Sequence, residues 1–268
     1  MNGAREGVSS SKYDRSLLLS GAKRNEILEL WEVQQYGIDS YNDADYVSIY
    51  DMRPSEWYAK GVRLLGRTAV ECTRDKLAQA IGKDVVATAA RAPSNAGVLV
   101  IDPFAGSANT LYWLLRHLPG ARGRGFELDV TVSGLTRHNL EVLGLAIAIV
   151  NTDYQSGLVE TSVVKDELLI AFIAPPWGDA LDKVAGLNLS LTSPPVTEIV
   201  DLLVRRFPQN PLLGAVQVYE TVDARSLVEL KGRFDWSELR VYSLNAAGEN
   251  HGVMIGTKGW APDRKDEG

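Results

Sequence analysis

The feature that most constrains the fold is a regular alternation of apolar strands and amphipathic helices that begins near residue 97. The segments "GVLVID", "ARGRGFELD", "LAIAIVNTD" and "ELLIAFIAPPW" are each typical of a strand, and helical segments such as "NTLYWLLRHLPG" and "VTVSGLTRHNLEVLG" lie between them. Strands that alternate with helices pair in parallel through crossover connections. The sequence therefore predicts an α/β fold with a mostly parallel sheet.

The C-terminal part of the chain extends this pattern and then changes it. A helix, "VTEIVDLLVRRF", a strand, "LLGAVQVYE", and a helix, "ARSLVELKGRF", come before two last strands, "ELRVYSLN" and "VMIGTKG". The short Gly/Asn-rich turn "NAAGENHG" joins these two strands, which predicts an antiparallel hairpin. A parallel α/β sheet that ends in such a hairpin is the outline of the Rossmann-like class I methyltransferase fold.

An aromatic-rich segment precedes the alternating region. The stretch "LWEVQQYGIDSYNDADYVSIYDMRPSEWYAKGVRLL" has helical periodicity before Tyr36 and after Pro54. It is either an amphipathic arm packed on the core or a lid whose aromatic rings cover a ligand. We therefore predict an N-terminal arm or lid over residues 1–66, with a frayed polar start, and a ligand-binding catalytic domain over residues 67–268.

Bulk properties favour a small-molecule partner. The chain has 268 residues, 45% hydrophobic and 23% charged, which is typical of a soluble globular protein with one sizeable core. Its net charge of -6 disfavours a general nucleic-acid groove, because phosphate binding depends on clustered Lys and Arg. Small basic clusters occur, for instance near Arg124 and near Arg205. We expect no nucleic-acid partner.

Targeting and cysteine signals are few. No apolar run approaches the length of a membrane span, and the start "MNGAREGVSSSKYDRS" lacks the apolar core of a signal peptide, so we expect a cytoplasmic protein without membrane contact. The single cysteine, Cys72, excludes an internal disulfide and a multi-thiolate zinc site. Cys72 lies within residues 68–91, which we predict to be helical, and we expect an inert buried thiol.

The segment "VIDPFAGSANT", residues 100–110, lies at the first strand-to-helix junction. Ligands of such sheets bind beyond the carboxyl ends of the strands. Small residues there let a cofactor approach the backbone, and the N-terminus of the following helix offers free N–H groups to an anion. A phosphate loop and a dinucleotide site are both disfavoured, because neither Gly-Lys-Ser/Thr nor G-x-G-x-x-G is present.

Three further strand ends carry groups that suit a nucleoside. Glu127 ends the second predicted strand, 25 residues after Asp102, where a carboxylate can accept hydrogen bonds from ribose hydroxyls. Asp153 follows the third strand, where it can accept a hydrogen bond from an adenine amino group. "APPW", residues 174–177, closes the fourth. The ordered set predicts S-adenosylmethionine as the cofactor, with its methionine carboxylate at the first helix N-terminus.

Two family resemblances support this prediction. "DPFAGSANT" resembles the "DPFAGSGTT" loop of amino-methylating DNA and RNA methyltransferases, with Ala108 at the place of a glycine. Over about residues 28–180 the chain is similar to the trimethylguanosine synthase family, whose arm resembles "LWEVQQYGIDSYNDADYVSIYDMRPSEW" and whose Ser-Pro-Pro-Trp-Gly-Gly resembles "APPWGD". The resemblance implies an S-adenosylmethionine-dependent transferase.

The resemblance also implies roles for individual residues. Asp102, Gly106, Asn109 and Thr110 would surround the methionine part of the cofactor, and Trp177 would stack near the acceptor or the sulfonium. Asn139 either acts in catalysis or braces its helix against the strand ends. The expected cofactor-binding residues are Asp102, Phe104, Gly106, Asn109, Thr110, Glu127, Leu128, Asp153 and Tyr154. The expected catalytic residues are Trp177, Asn139, Ala174 and Pro175. No metal site is expected.

The identity of residue 174 bears on which of two reactions the sequence predicts. In amino methyltransferases the residue before Pro-Pro is Asn, Asp or Ser, and it helps to hold the target amine in a rigid geometry. Ala174 offers no side-chain acceptor, and Asp179 stands where the family has a second glycine. The acidic charge balance is also unusual for an RNA enzyme. These departures favour the azetidine-2-carboxylate synthases, a family of the same fold to which the chain is similar overall.

In that family S-adenosylmethionine is the sole substrate. Its amino nitrogen attacks its γ-carbon, which closes an azetidine ring and releases methylthioadenosine. The resemblance implies that Asp102, Asn139 or a lid tyrosine takes the proton or orients the nitrogen. This cyclisation is the preferred hypothesis. The alternatives are N-methyl transfer to a small molecule or to guanosine N2 of RNA, and a degenerate cofactor-binding domain that acts as a partner subunit. The sequence does not indicate an oligomeric state.

Overall fold

The computed structural model describes residues 12–94, 96–182, 184–244 and 251–262. The predicted frayed start and most of the turn "NAAGENHG" lie outside these residues. The helices are α1 (Arg15–Leu19), α2 (Leu30–Tyr41), α3 (Pro54–Ala59), α4 (Gly66–Glu71), α5 (Asp75–Ala89), α6 (Asn109–His117), α7 (Val130–Val142), α8 (Tyr154–Val159), α9 (Val196–Arg206) and α10 (Ala224–Lys231). The strands are β1 (Val98–Asp102), β2 (Arg122–Glu127), β3 (Ala148–Asn151), β4 (Leu168–Ile173), β5 (Leu181–Asp182), β6 (Gly186–Leu187), β7 (Leu212–Tyr219), β8 (Trp236–Tyr242) and β9 (His251–Lys258).

A seven-stranded sheet with the order β3-β2-β1-β4-β7-β9-β8 forms the centre of the molecule. The strands from β3 to β7 run parallel, and β9 pairs antiparallel with both β7 and β8. The strand order reverses at β1, because the chain adds β2 and β3 on one side of it and then β4 and β7 on the other. Folds of this kind bind ligands at that point, between β1 and β4. The predicted α/β fold with a C-terminal antiparallel pair is confirmed. The short helix α8 and the two-residue strands β5 and β6 were not predicted.

Two apolar layers cover the sheet. Alternate residues of β1 face opposite layers, because side chains on a strand alternate in direction. Val100 packs with the arm, α5 and α6, whereas Leu99 and Ile101 pack with the layer of α9. Every residue of the central strand β4 is buried, which explains why "LLIAFI" is apolar throughout.

The arm contributes to the first of these layers. Leu18, Leu28, Tyr36 and Trp57 are each no more than 1% exposed and belong to the same apolar cluster as the strand residues. Trp57 Nε1 donates a hydrogen bond to the Val47 carbonyl at 3.0 Å. The predicted helices on either side of a turn-rich centre are present as α2 and α3. The arm therefore packs on the core, and the division into two domains stays a prediction.

The single helix predicted over residues 68–91 is wrong. The chain leaves the helical conformation at Cys72, whose ψ is 135°, and α5 begins at Asp75. The break lets the Asp75 carboxylate accept hydrogen bonds from Asn109 Nδ2 at 3.1 Å and Trp113 Nε1 at 2.7 Å. These tertiary contacts outweigh local helix propensity. Burial raises the pKa of the Cys72 thiol to about 12, consistent with the expected inert thiol.

Candidate functional site

The carboxyl ends of four parallel strands meet at one edge of the sheet. Register pairs Glu127 with Asn151 and Asp102 with Gly125, and β4 follows on the other side of β1. Along this edge the predicted groups therefore lie in the order Asp153, Glu127, Asp102 and Ala174. The structure brings together at one edge the strand-end residues that the sequence placed far apart.

The loop after β1 and the end of β2 form one hydrogen-bonded unit. Gly106, with φ +47°, donates its N–H to Glu127 Oε2 at 3.0 Å, and its carbonyl accepts from Thr136 Oγ1 at 2.6 Å. A Cβ at Gly106 would meet no atom closer than the Phe104 carbonyl oxygen at 3.9 Å, so the glycine faces open space. The loop thus offers exposed backbone that a ligand can approach closely.

Glu127 keeps hydrogen-bonding capacity beyond this unit. Its Oε1 accepts the Asp129 N–H at 2.8 Å while Oε2 accepts Gly106. Burial raises its pKa, against the effect of these two backbone donors. A carboxylate has about four acceptor positions, so each oxygen retains one for a further donor. Two neighbouring hydroxyls of a ribose match that requirement.

Asp102 is 2% exposed at the end of β1. Its Oδ1 accepts the Phe104 N–H at 3.1 Å. Burial raises the pKa of this carboxyl to about 7, and the nearby Glu127 carboxylate adds to the increase. Asp102 therefore exchanges a proton near neutral pH, which is the range that acid–base chemistry requires.

The predicted adenine end of the site is partly aromatic. Asp153 caps α8 by accepting the Ser156 N–H at 2.9 Å, and this bond lowers the pKa of Asp153. The Tyr154 ring packs on the Phe104 ring with centroids 5.4 Å apart. Leu128, which directly follows β2 at the same edge of the sheet, is 74% exposed. An acceptor, two rings and an exposed apolar side chain suit a purine.

Asn109, at the start of α6, uses its side chain within the protein. Its Oδ1 accepts the Tyr50 N–H at 2.7 Å, and its Nδ2 donates to the Thr73 carbonyl at 2.8 Å and to Asp75 at 3.1 Å. Its side chain is therefore occupied by protein partners, and its backbone N–H is directed to Ser107 Oγ at 3.4 Å. Thr110, in the first turn of the same helix, is 4% exposed.

Asn139 forms a similar link from α7 to the arm. Its Oδ1 accepts the Arg63 N–H at 2.9 Å, and its Nδ2 donates to the Arg63 carbonyl at 2.8 Å. The side chain is 1% exposed. It braces α7 against the arm, and not against the strand ends as the structural alternative from the sequence had it.

Two further links to the site were missed from the sequence, one of them from the arm. The Tyr50 hydroxyl donates to the Ser107 carbonyl, and Arg67 pairs with Asp129 at 2.7 Å. Ser107, the partner of Tyr50, belongs to the loop that carries Gly106. No local pattern identifies these pairs, because the Tyr50 and Ser107 partners lie 57 residues apart in the chain.

The end of β4 forms an aromatic group with its neighbours. Pro175 is buried, and the Trp177 ring lies 6.4 Å from Tyr219 and is stacked at 5.9 Å on His251. Tyr219 and His251 are register partners in β7 and β9, which explains their proximity. The sequence placed His251 in the turn before the last strand. Its position beside Tyr219 depends on the insertion of β9 next to β7, which no local pattern indicates.

A cavity of about 710 Å³ lies between the arm, the start of α5 and the β8–β9 pair. His251 lines this cavity and also stacks on Trp177, so one side chain joins the two features. Its other walls include Tyr41, Tyr46, Arg74, Lys76 and Tyr242. The volume is within the range of small-molecule sites. Among the residues that the structure describes, no group of His, Cys, Asp and Glu side chains could hold a metal ion.

Comparison with known proteins concerns the fold. No protein-family model matches the sequence, and no curated protein matches it. The METTL16 MTase domain aligns at a TM-score of 0.50 and 15% identity, over 72% of this chain and 72% of that chain. The precorrin-6y C5,15-methyltransferase from Geobacter metallireducens GS-15 aligns at 0.45 and 14%, over 70% and 90%. An rRNA methylase from Streptococcus thermophilus aligns at 0.43 and 13%, over 70% and 99%.

The chain has the class I methyltransferase fold. Within this fold the predicted residues separate into two groups. Asp102, Gly106 and Glu127 lie where the loop and strand ends form one open edge, whereas Asn109 and Asn139 direct their side chains to the arm. No helix in the described part of the chain is long and apolar enough to cross a membrane.

Proposed function

We propose that the protein is an S-adenosylmethionine-dependent methyltransferase that acts on a small molecule. The Gly106–Glu127 unit carries the proposal, because it joins an open backbone loop to a carboxylate with free acceptor positions. The ribose would bind Glu127 and the adenine would lie between Asp153 and Tyr154. The methionine carboxylate would face the N-terminus of α6.

When bound, S-adenosylmethionine supplies an electrophilic methyl group. The chain's own residues would position it and stabilise its charge. The Trp177 face would lower the energy of the sulfonium by about 0.5 to 2 kcal/mol through a cation–π contact. Asp102, with a pKa of about 7, would accept a proton from an acceptor that loses one.

The cavity supports a small acceptor rather than a nucleic acid. It opens beside the Trp177–His251 stack and is large enough for a metabolite. One basic residue from each predicted cluster contacts other parts of the protein. Arg206 donates to the Val159 carbonyl at 2.8 Å, and the Arg124 guanidinium lies 5.7 Å over the Phe126 ring.

Cyclisation of S-adenosylmethionine to azetidine-2-carboxylate is the second candidate. Ala174 favours it, because the strand end provides no polar side chain for an acceptor amine. The same cofactor contacts would hold the methionine tail, and Asp102 would take the proton that the amino nitrogen releases on ring closure.

One experiment separates the two reactions. Purified protein is incubated with S-adenosylmethionine, alone and with a small-molecule extract, and the products are quantified by mass spectrometry against a no-enzyme control. S-adenosylhomocysteine that forms only with the extract supports methyl transfer. Azetidine-2-carboxylate and methylthioadenosine that form without the extract support cyclisation.

Cofactor binding has its own test. We expect Glu127→Gln to weaken S-adenosylmethionine binding about 10- to 100-fold, because a charged acceptor is lost. The exposed Glu160→Gln, directly after α8, is the matched control. Calorimetry that detects no binding to the unmodified protein would overturn both candidates and favour a partner subunit.

A further inference from the structure

Arg74 presents a fixed guanidinium at the wall of the cavity. Its Cζ lies 3.7 Å from the centre of the Tyr46 ring, and Tyr46 is stacked on Tyr41 with centroids 3.4 Å apart. A guanidinium that stacks through its face keeps its N–H donors free at its edge. The neighbouring Thr73 donates to Gln217 at 2.8 Å and accepts from Asn109, so the backbone that carries Arg74 is held in place.

Arg74 and Lys76 both line the cavity and carry positive charge. Within the described ranges, neither Arg74 nor Lys76 forms an ion pair with a carboxylate. The nearby Asp75 carboxylate instead accepts from Trp113 and Asn109. A ligand carboxylate would provide the missing partner in the planar, two-bond geometry that a guanidinium prefers.

Negative charges line the same cavity. Asp39, Asp43 and Asp45 are all part of its wall. Asp39 is already engaged, because it accepts from the Tyr13 N–H at 2.9 Å and from Gln35 at 2.7 Å. Among the described residues, Asp43 accepts a hydrogen bond at Oδ1 alone, from the Asp45 N–H at 2.9 Å, and Asp45 lies 3.9 Å from Arg53. Asp43 and Asp45 therefore keep acceptor positions for a cationic group.

This charge pattern selects against ligands with one kind of charge. Three carboxylates against two cationic side chains disfavour a simple anion, and a simple cation would leave the Arg74 guanidinium without a partner. We infer that the cavity binds a compact zwitterion, an α-amino acid or a similar molecule, with its carboxylate at Arg74 and its ammonium group towards Asp43 and Asp45. The tyrosine rings would contact its apolar part. The inference rests on the proposed function, since it names the chemical class of the molecule beside the reaction centre.

Two sources could supply this chemistry. An amino acid that receives the methyl group is one, and azetidine-2-carboxylate, the product of cyclisation and itself a zwitterionic amino acid, is the other. His251 lines the cavity and stacks on Trp177 at 5.9 Å, so either molecule would bind one side chain away from that ring. The experiment has an arm for each source.

The test uses ligand-observed NMR on the full chain with saturating S-adenosylhomocysteine. The probes are the proteinogenic L-amino acids, singly, and azetidine-2-carboxylate. For each probe that binds, its carboxamide and its N-acetyl derivative are measured as well. We expect at least one zwitterion to bind, and each capped derivative to bind about tenfold more weakly or not at all.

Variants identify the site. Arg74→Gln should weaken zwitterion binding about tenfold or more, and Arg91→Gln, an exposed arginine outside the cavity, should leave it unchanged. Lys76→Gln, at an exposed position, provides a second variant if Arg74→Gln does not fold. S-adenosylhomocysteine affinity should stay the same in all three, so a loss of cofactor binding would reveal a failure of the proposed function instead.

The outcomes are distinct. An amino acid that is consumed with S-adenosylmethionine to give S-adenosylhomocysteine is the acceptor, whereas preferential binding of azetidine-2-carboxylate, formed from S-adenosylmethionine alone, identifies a product site. The inference is overturned if no zwitterion binds, if the capped derivatives bind equally well, or if neither Arg74→Gln nor Lys76→Gln changes the affinity.

Discussion

At the scale of single residues, Asp102 has the most consequential environment. It is a carboxyl group with 2% exposure that receives one backbone hydrogen bond, from Phe104. One donor does not replace the hydration that an ionised carboxylate loses on burial. The folded protein therefore favours the neutral form of Asp102 up to about pH 7. The ligand-free site is in this sense destabilised at the position where a cationic substrate would arrive.

This environment predicts a pH-dependent effect of Asp102→Asn. Because the folded pKa is raised, the folded state binds a proton more tightly than the unfolded state, and wild-type stability falls as pH rises from about 4 to about 7. The asparagine variant lacks this decrease. We expect it to gain on the order of 4 kcal/mol relative to the wild type between pH 4 and pH 8. Urea unfolding without cofactor measures the difference, and the exposed Asp179→Asn is the control. Parallel pH profiles for the wild type and Asp102→Asn would contradict the prediction.

Trp177 provides a second prediction at this scale. Trp177→Ala should lower kcat/KM for S-adenosylmethionine about 3- to 30-fold while changing S-adenosylhomocysteine affinity little, because the ring would contact the sulfonium charge, which the thioether lacks. Steady-state kinetics and calorimetry on the same preparation separate the two quantities. Trp31→Ala, which removes an arm tryptophan that is 58% exposed, is the matched control. Equal losses of kcat/KM and of S-adenosylhomocysteine affinity would place Trp177 in cofactor binding instead.

The site could be predicted from the sequence where function depends on strand ends. Glu127 and Gly106 were found because a strand-to-loop transition is a local pattern, and parallel strands bring such transitions to one edge. The partners of Asn109 and Asn139 were not, since Asn139 contacts Arg63, 76 residues earlier in the chain. From the sequence alone, an asparagine that binds backbone atoms of a distant segment cannot be distinguished from one that binds a ligand.

At the scale of elements, the arm is attached to the cofactor loop at several points. Asn109 and the Tyr50 hydroxyl link it to α6 and the loop, and Asn139 links it to α7. Any movement of the arm would therefore act on the loop that carries Gly106. The order of the last two strands in the sheet could be predicted only in part. The hairpin followed from the turn, but the position of β9 next to β7 depends on packing across the sheet.

Removal of the Asn139 link tests this arrangement. Asn139→Ala leaves the Arg63 N–H and carbonyl without their partner, so we expect a loss of about 1 to 3 kcal/mol in the free energy of unfolding. The exposed neighbour His138→Ala should change it by less than about 0.5 kcal/mol. Urea titrations give both values. Lost turnover at unchanged stability would instead support the catalytic role that the family resemblance implies.

At the scale of the whole molecule, the arm and the sheet share one apolar layer. Leu18, Leu28, Tyr36 and Trp57 of the arm are almost completely buried in the same cluster as Val100 of β1. Apolar burial stabilises by roughly 1.5 to 3 kcal/mol for each large side chain, so these four residues together rival the net stability of a domain. The fold class was predictable from the alternation of strands and helices, whereas this sharing was not, because an amphipathic arm and a lid have the same sequence pattern.

Deletion of residues 1–60 is the decisive test at this scale. A lid that only excludes water would leave a folded, cofactor-binding domain with low activity. The shared layer instead predicts that the truncated chain loses cooperative unfolding, because the partners of Val100 and its neighbours are removed and their apolar surface is exposed. Calorimetric melting and binding of S-adenosylhomocysteine distinguish the two results, and the full chain should melt in one transition. A truncated protein that melts cooperatively and binds the nucleoside with unchanged affinity would show that the arm is a separable lid.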